Sequence, residues 1–267
     1  MNETKKFYYL CGLPRAGNTL FSSIMNQNTK IAVTANSMVS DILVGSEMLK
    51  QTDMYSEYPD SKSLDNITKN IIPNYYSHWK ADHIIDRSTW GLPYNLKVLK
   101  EHSPNDIKIV VLVRDLKEIL ASFIKFSYSS KNNYIAREGN TIQERCDYIM
   151  KNGGSLHKWI HSVYNLTRPE NKQYIHLIEY NDLVNNTKIE INKVYDYLNI
   201  EPFEHHYTKL SQLENNGIQY NDTDIGEGLH TIKEDKIEKS DYDMYDYLPK
   251  DVDTRYNISN FWEMLIA

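Results

Sequence analysis

Residues 7–12 read Phe-Tyr-Tyr-Leu-Cys-Gly, a short continuous apolar run that suits a strand covered on both faces. The run passes directly into Leu-Pro-Arg-Ala-Gly, and from Thr19 to Met25 the apolar residues Leu20, Ile24 and Met25 take helical spacing. A buried strand that turns at once into a helix points to an open α/β sheet, in which ligands bind at the carboxyl ends of the strands.

The remaining chain repeats the alternation. Further strands are predicted at His83–Asp86, at Ile107–Val113 (the strongest such signal) and at Tyr174–Glu179. Helical spacing is read over Ser37–Lys50, over Leu64–Trp79 with an interruption near Pro73, and over Asn95–Lys100. After Arg114, the residues Leu116, Ile119, Leu120 and Phe123 mark one buried helix face. Thr141-Ile-Gln-Glu144 fits a capping box that opens a helix running towards Arg168, and Lys188–Leu198 turns Ile191, Val194, Tyr195 and Leu198 inward. Strands alternating with helices predict a parallel sheet flanked by helices on both faces, with right-handed crossovers that gather the strand ends on one edge. Residues 1–267 read as a single domain with a polar lid or substrate excursion at 199–247. Phe261, Trp262 and Leu265 are available to dock the last segment on the body.

Composition narrows the function. With 40% apolar and 25% charged residues the chain is of ordinary globular make-up. A net charge of -6 without any Lys/Arg block argues against nucleic acid as a partner. Two cysteines, Cys11 and Cys146, supply neither a disulfide framework nor a zinc spacing, and no metal is expected. The N-terminal residues have no long apolar stretch, so the reading is cytoplasmic with no membrane partner.

The turn Cys11-Gly-Leu-Pro-Arg-Ala-Gly-Asn-Thr-Leu20 carries the chemistry. Between a buried strand and a helix start, its backbone N–H groups converge, the helix terminus adds partial positive charge and Arg15 adds a full one. Gly17 lets the backbone approach an oxyanion closely, and the Thr19 hydroxyl supplies another donor. The spacing is shorter than GxxxxGK[ST], and Arg15 precedes the last glycine instead of a lysine following it.

GLPRAGNTL resembles the 5′-phosphosulfate-binding loop of the sulfotransferases that use 3′-phosphoadenosine 5′-phosphosulfate (PAPS), in the PRSGTT form of tyrosylprotein and bacterial members, with Ala16 and Asn18 as departures. A second stretch, Ile109–Ser122, is similar to the family's 3′-phosphate site, an arginine at a strand end and a serine eight residues later, here Arg114 and Ser122. A third, Leu177-Ile-Glu-Tyr-Asn-Asp-Leu-Val184, resembles the family's YEDL stretch and puts Tyr180 near the adenine. The resemblance implies a P-loop-NTPase-like sulfotransferase fold. It also implies donor contacts from Arg15, Ala16, Gly17, Asn18, Thr19, Arg114, Ser122 and Tyr180, PAPS as donor and 3′,5′-adenosine diphosphate (PAP) as product. Arg87, ending His83-Ile-Ile-Asp-Arg, takes the place of a family lysine beside the transferred group, so Arg15 and Arg87 are the expected catalytic cations.

No acid stands where family members place a glutamate after the loop, and Ser88-Thr89-Trp90 replaces a histidine used by others. Asp41, His78, His83, His157 and His161 are alternatives for the base, which stays unassigned. Thr231, Lys233 and Lys239 are lid candidates. A small-molecule, glycan or peptide acceptor fits equally well, and oligomeric state is not readable. The rival readings are a P-loop-like small-molecule kinase and a non-catalytic nucleotide-binding homologue.

Overall fold

The computed structural model describes residues 5–128, 133–154, 156–211, 214–219, 226, 230, 236–239 and 242–263. Its body is a five-stranded parallel sheet in the order β2-β3-β1-β4-β5 (β1 Lys6–Leu10, β2 Ile31–Val33, β3 His83–Arg87, β4 Ile109–Val113, β5 Ile175–Glu179). All four pairings are parallel, so every strand delivers its carboxyl end to the same edge. β1 after Lys6 and the whole of β4 carry unbroken apolar runs because both of their faces are covered, the expected signature of central parallel strands.

The helices are α1 Asn18–Met25, α2 Val39–Met48, α3 Asp53–Glu57, α4 Ser61–Tyr75, α5 Pro93–His102, α6 Leu116–Ser127, α7 Tyr134–Arg137, α8 Ile142–Met150, α9 His157–Leu166, α10 Tyr180–Asn185, α11 Thr187–Leu198 and α12 Val252–Tyr256. The capping box at Thr141 is present, with Glu144 reaching back to the N-cap backbone. The helix it opens stops at Met150, however, and α9 begins afresh at His157 after Gly153 turns the chain with a φ of 78°. Pro73 lies inside α4 near its end instead of interrupting it. The three-residue strand β2 and the helices α3, α7 and α10 are too short to announce themselves by periodicity. In the 199–247 excursion the described residues include an antiparallel pair, Glu214–Asn215 with Ile218–Gln219. Thr231, Lys233 and Leu265 lie outside the described residues.

Buried polar groups fix the layers against one another. The Asp86 carboxyl, 1% exposed, accepts from the Trp90 indole N–H at 2.7 Å and from the Tyr76 hydroxyl, joining β3 to α4. Burial raises the Asp86 pKa above the ordinary carboxylate range. Glu47 pairs with His102 at 2.9 Å and with Lys50 at 2.8 Å, which ties α2 to α5. Trp262 is buried as the sequence anticipates, and its indole N–H donates to Glu179 at 3.2 Å. No helix among the described residues is long and apolar enough to cross a membrane.

His205 ties the chain after α11 to that helix and, through it, to the α1–β2 connection: its Nε2 lies 3.0 Å from the Tyr195 hydroxyl, to which Asn28 Nδ2 donates at 3.3 Å. Burial lowers its pKa from 6.5 to about 4, so the unfolded chain binds a proton there that the folded chain refuses. The stability due to neutral His205 is complete above pH 6.5 and is lost as pH falls towards 4, a change of about 3 kcal/mol. Urea unfolding measured across that window should show the loss, and His205→Gln, which keeps a hydrogen-bonding group for Tyr195, should flatten it.

Candidate functional site

The carboxyl edge of the sheet is where the predicted residues meet. Beyond β1 the chain makes a tight turn: Arg15 adopts a φ of 62° and Gly17 one of 84°, both left-handed. Ala16 N–H donates to the Leu13 carbonyl at 3.2 Å, and the Asn18 side chain donates to the same carbonyl at 2.7 Å. The Asn18 amide therefore braces the turn from inside. Gly12 makes room for it, since a Cβ there would lie 2.0 Å from Asn18 Oδ1. The first bond of α1 runs from Phe21 N–H to the Gly17 carbonyl at 2.9 Å, so the N–H groups of Gly17, Asn18, Thr19 and Leu20 precede the intrahelical ladder. Thr19, half-buried, stands at the same terminus.

Arg114 follows β4, and Asp115 caps α6 by accepting from the Lys117 and Glu118 N–H groups. That cap fixes the direction in which Arg114 leaves the strand. Its Nη1 donates to the Arg15 carbonyl at 3.0 Å, its Nε donates to Glu118 at 2.9 Å, and its guanidinium lies 4.2 Å over the Tyr180 ring. Ser122, two turns along α6, accepts from Arg15 Nε at 3.0 Å. Having accepted there, the Ser122 hydroxyl keeps its own hydrogen to give to an anion. Tyr180, the first residue of α10, lies against Gly17, where a Cβ would come 3.0 Å from its ring. Arg15, Gly17, Arg114, Ser122 and Tyr180 thus form one connected cluster.

The electrostatics of the cluster suit an anion. Burial, and then the nearby charge of Arg114, push the Arg15 pKa below the ordinary guanidinium value. Two cations that share a partly dehydrated pocket are a standing cost, which a bound anion relieves.

Arg87 ends β3 on the same edge. Its Nη1 donates to the Ala35 carbonyl at 2.9 Å, its backbone N–H donates to Thr34 Oγ1 at 2.7 Å, and it sits 5.6 Å from the Trp159 ring of α9. It is 7% exposed and not a surface arginine; Asp86, its sequence neighbour, faces Trp90 and Tyr76 instead. Strand alternation sends the two side chains to opposite faces. Cys11 lies 3.1 Å from Ser162 on α9, which holds that helix beside the turn.

The alternatives for a base separate by position. His83 opens β3 at the opposite edge of the sheet, and exposed His78 lies in the connection leading to it, so both are removed from the cluster. Asp41 is exposed on the first turn of α2. His157 and His161 stand ring to ring at 4.5 Å on α9, the helix that carries Trp159. Lys239, alone of the three lid candidates among the described residues, reaches the cluster: its Nζ donates to Glu118 at 2.5 Å. Glu118 itself had not been singled out from sequence, although its spacing four residues after Arg114 on a helix was a readable signal.

The chain matches the family model of the sulfotransferase domain over residues 8–245 and belongs to that family. Among solved structures it is similar to the sulfotransferase domain from the curacin biosynthetic pathway, with 18% identity over 75% of each chain and a TM-score of 0.46. It is also similar to mouse sulfotransferase SULT7A1 complexed with PAP, at 13% identity over 74% of this chain and 61% of the mouse chain, TM-score 0.49. A third is the sulfotransferase domain of the Synechococcus PCC 7002 olefin synthase, at 15% identity over 76% of each chain, TM-score 0.45. No curated protein matches the sequence significantly.

Gly17 and Gly45 make a paired test of the turn. Gly17→Ala meets both a φ of 84° and the Tyr180 ring, and is expected to lower the unfolding free energy by about 1–3 kcal/mol. Gly45 lies inside α2 with open space at its Cβ position, so Gly45→Ala should raise it by about 0.5–1 kcal/mol. Urea denaturation of both variants reads the two signs.

Proposed function

We propose that this sulfotransferase takes its sulfuryl group from PAPS, passes it to a hydroxyl or amine of a small-molecule, glycan or peptide acceptor, and releases PAP. The observation that carries the reading is the junction of Arg15, Arg114, Ser122 and Tyr180 beside the amino end of α1, where two cations share one pocket. Arg114 and the Ser122 hydroxyl take the 3′-phosphate, Tyr180 takes the adenine, and the 11–19 turn with Arg15 takes the 5′-phosphosulfate. The α1 N–H groups are there donors that need no reorganisation. Residues 1–267 act as one domain, with the 199–247 excursion as its lid or substrate-binding segment. The reaction needs no metal and is cytoplasmic.

In the transfer, an acceptor oxygen or nitrogen attacks sulfur in line as the bond from sulfur to the bridging phosphate oxygen breaks. The electron pair stays on that oxygen, where Arg15 and the α1 terminus meet the growing charge. Arg87 neutralises the transferred group but, as an arginine, delivers no proton to it. The acceptor proton goes to a base that is not assigned.

Titration calorimetry with PAP tests the donor, with ATP–Mg²⁺ as the comparison ligand. PAP should bind much more tightly than ATP–Mg²⁺. Arg114→Ala should weaken PAP by roughly 10- to 100-fold, from the loss of about 1.5–3 kcal/mol in a charged hydrogen bond. A preference for ATP–Mg²⁺ would favour a kinase, and PAP binding without turnover on any acceptor would favour a non-catalytic homologue.

A further inference from the structure

Glu118 stands between two cations. Its Oε2 accepts from Arg114 Nε at 2.9 Å, and its Oε1 accepts from Lys239 Nζ at 2.5 Å. Its side chain is 16% exposed, so the carboxylate is not a freely solvated surface charge. Lys239 comes from the C-terminal part of the chain, 121 positions along, and is itself 44% exposed. Nearby, Lys125 of α6 lies 4.1 Å from the ring of Tyr242, three residues beyond Lys239, so α6 meets the same segment twice.

We infer that Glu118 is a positioning residue for the 3′-phosphate: it turns the Nη edge of Arg114 towards the ligand and holds Lys239 at the same place. The inference rests on the donor assignment proposed above. A guanidinium can present either its Nε–Nη side or its Nη–Nη end to an oxyanion. With Nε committed to Glu118 and one Nη1 hydrogen given to the Arg15 carbonyl, Arg114 keeps Nη2 and the second Nη1 hydrogen for the ligand. The direction of approach is thereby set at the Nη edge, where Nη1 already meets the Arg15 carbonyl.

Charge bookkeeping gives the same answer. Arg114 and Lys239 contribute two positive charges and Glu118 one negative, so the carboxylate gathers both cations at one place and leaves a net positive charge for the phosphate. Without Glu118, Arg114 and Lys239 would repel each other, and the exposed lysine would have no fixed partner to keep it near the site.

The test compares PAP with adenosine 5′-phosphate, which lacks the 3′-phosphate, by calorimetry on the full-length protein. The set is the parent, Glu118→Gln, Lys239→Ala and the double variant, with thermal unfolding of each as a check on folding. Glu118→Gln keeps shape and removes the charge. It should weaken PAP at least tenfold and leave adenosine 5′-phosphate within twofold. Because Lys239 acts through the carboxylate, the double variant should be no weaker than the worse single variant by more than twofold. Equal losses for both nucleotides would overturn the inference in favour of a general structural role. PAP binding that is unchanged or tighter in Glu118→Gln would overturn it in favour of a mere counter-charge. A parent that fails to bind PAP sinks the donor assignment, and this role with it; a parent that binds PAP beside unaffected variants sinks the role of Glu118 alone.

Discussion

The structure depends on holding the guanidinium groups of Arg15 and Arg114 together in a pocket largely withdrawn from water. Arg15 is not there by its own preference: burial, and then the charge of Arg114, act against its charged form. What makes the arrangement tolerable is that each cation is held from behind. Arg114 is fixed by Glu118, by the Arg15 carbonyl and by the Tyr180 face, and Arg15 by Ser122. These partners come from the ends of β1, β4 and β5 and from the first two turns of α6. A parallel sheet is what allows this, because it brings the carboxyl ends of neighbouring strands to one edge.

The order β2-β3-β1-β4-β5 puts β1 at the centre, with β3 on one side and β4 on the other. The turn after β1 is consequently flanked by Arg87 and by Arg114. The C-terminal residues then close the far side. Asn260 accepts from Leu116 N–H at 3.2 Å and donates to Asp115 at 2.9 Å, meeting the very cap that aims Arg114, while Trp262 donates to Glu179 just before Tyr180. The last segment thus touches the starts of both α6 and α10. Local changes there would be felt at the cluster without any contact to a ligand.

The sheet and the cluster were legible in the sequence for different reasons. β1 from Phe7 onward and β4 are buried on both faces, so these residues had to be apolar without a break, and such runs are visible in any window. The turn was legible because Gly17 and Arg15 at fixed spacing around a strand–helix junction answer a demand of anion binding. β2 was not, since three residues at the sheet's margin carry no period. The break between α8 and α9 was readable, since Asn152-Gly153-Gly154 is a turn signal, but two amphipathic helices on either side of it pass for one continuous pattern. Asn18 and Ala16 show the limit most clearly. The side chain of the first and the N–H of the second both turn in to Leu13. Which way a polar group points is decided by the turn's dihedrals, and these no spacing rule records.

The arginine at position 87 bears on where acid–base help is needed. Under the donor assignment the departing group is a phosphate whose second ionisation lies near pH 6, so at neutral pH it leaves without taking a proton. A permanently charged group beside it is then sufficient. Arg87 is built for that constancy, held by the Ala35 carbonyl and facing Trp159 with little exposure to water. The requirement for proton transfer falls wholly on the acceptor, and its size follows the acceptor's own acidity. A phenol needs little help and a sugar hydroxyl a great deal.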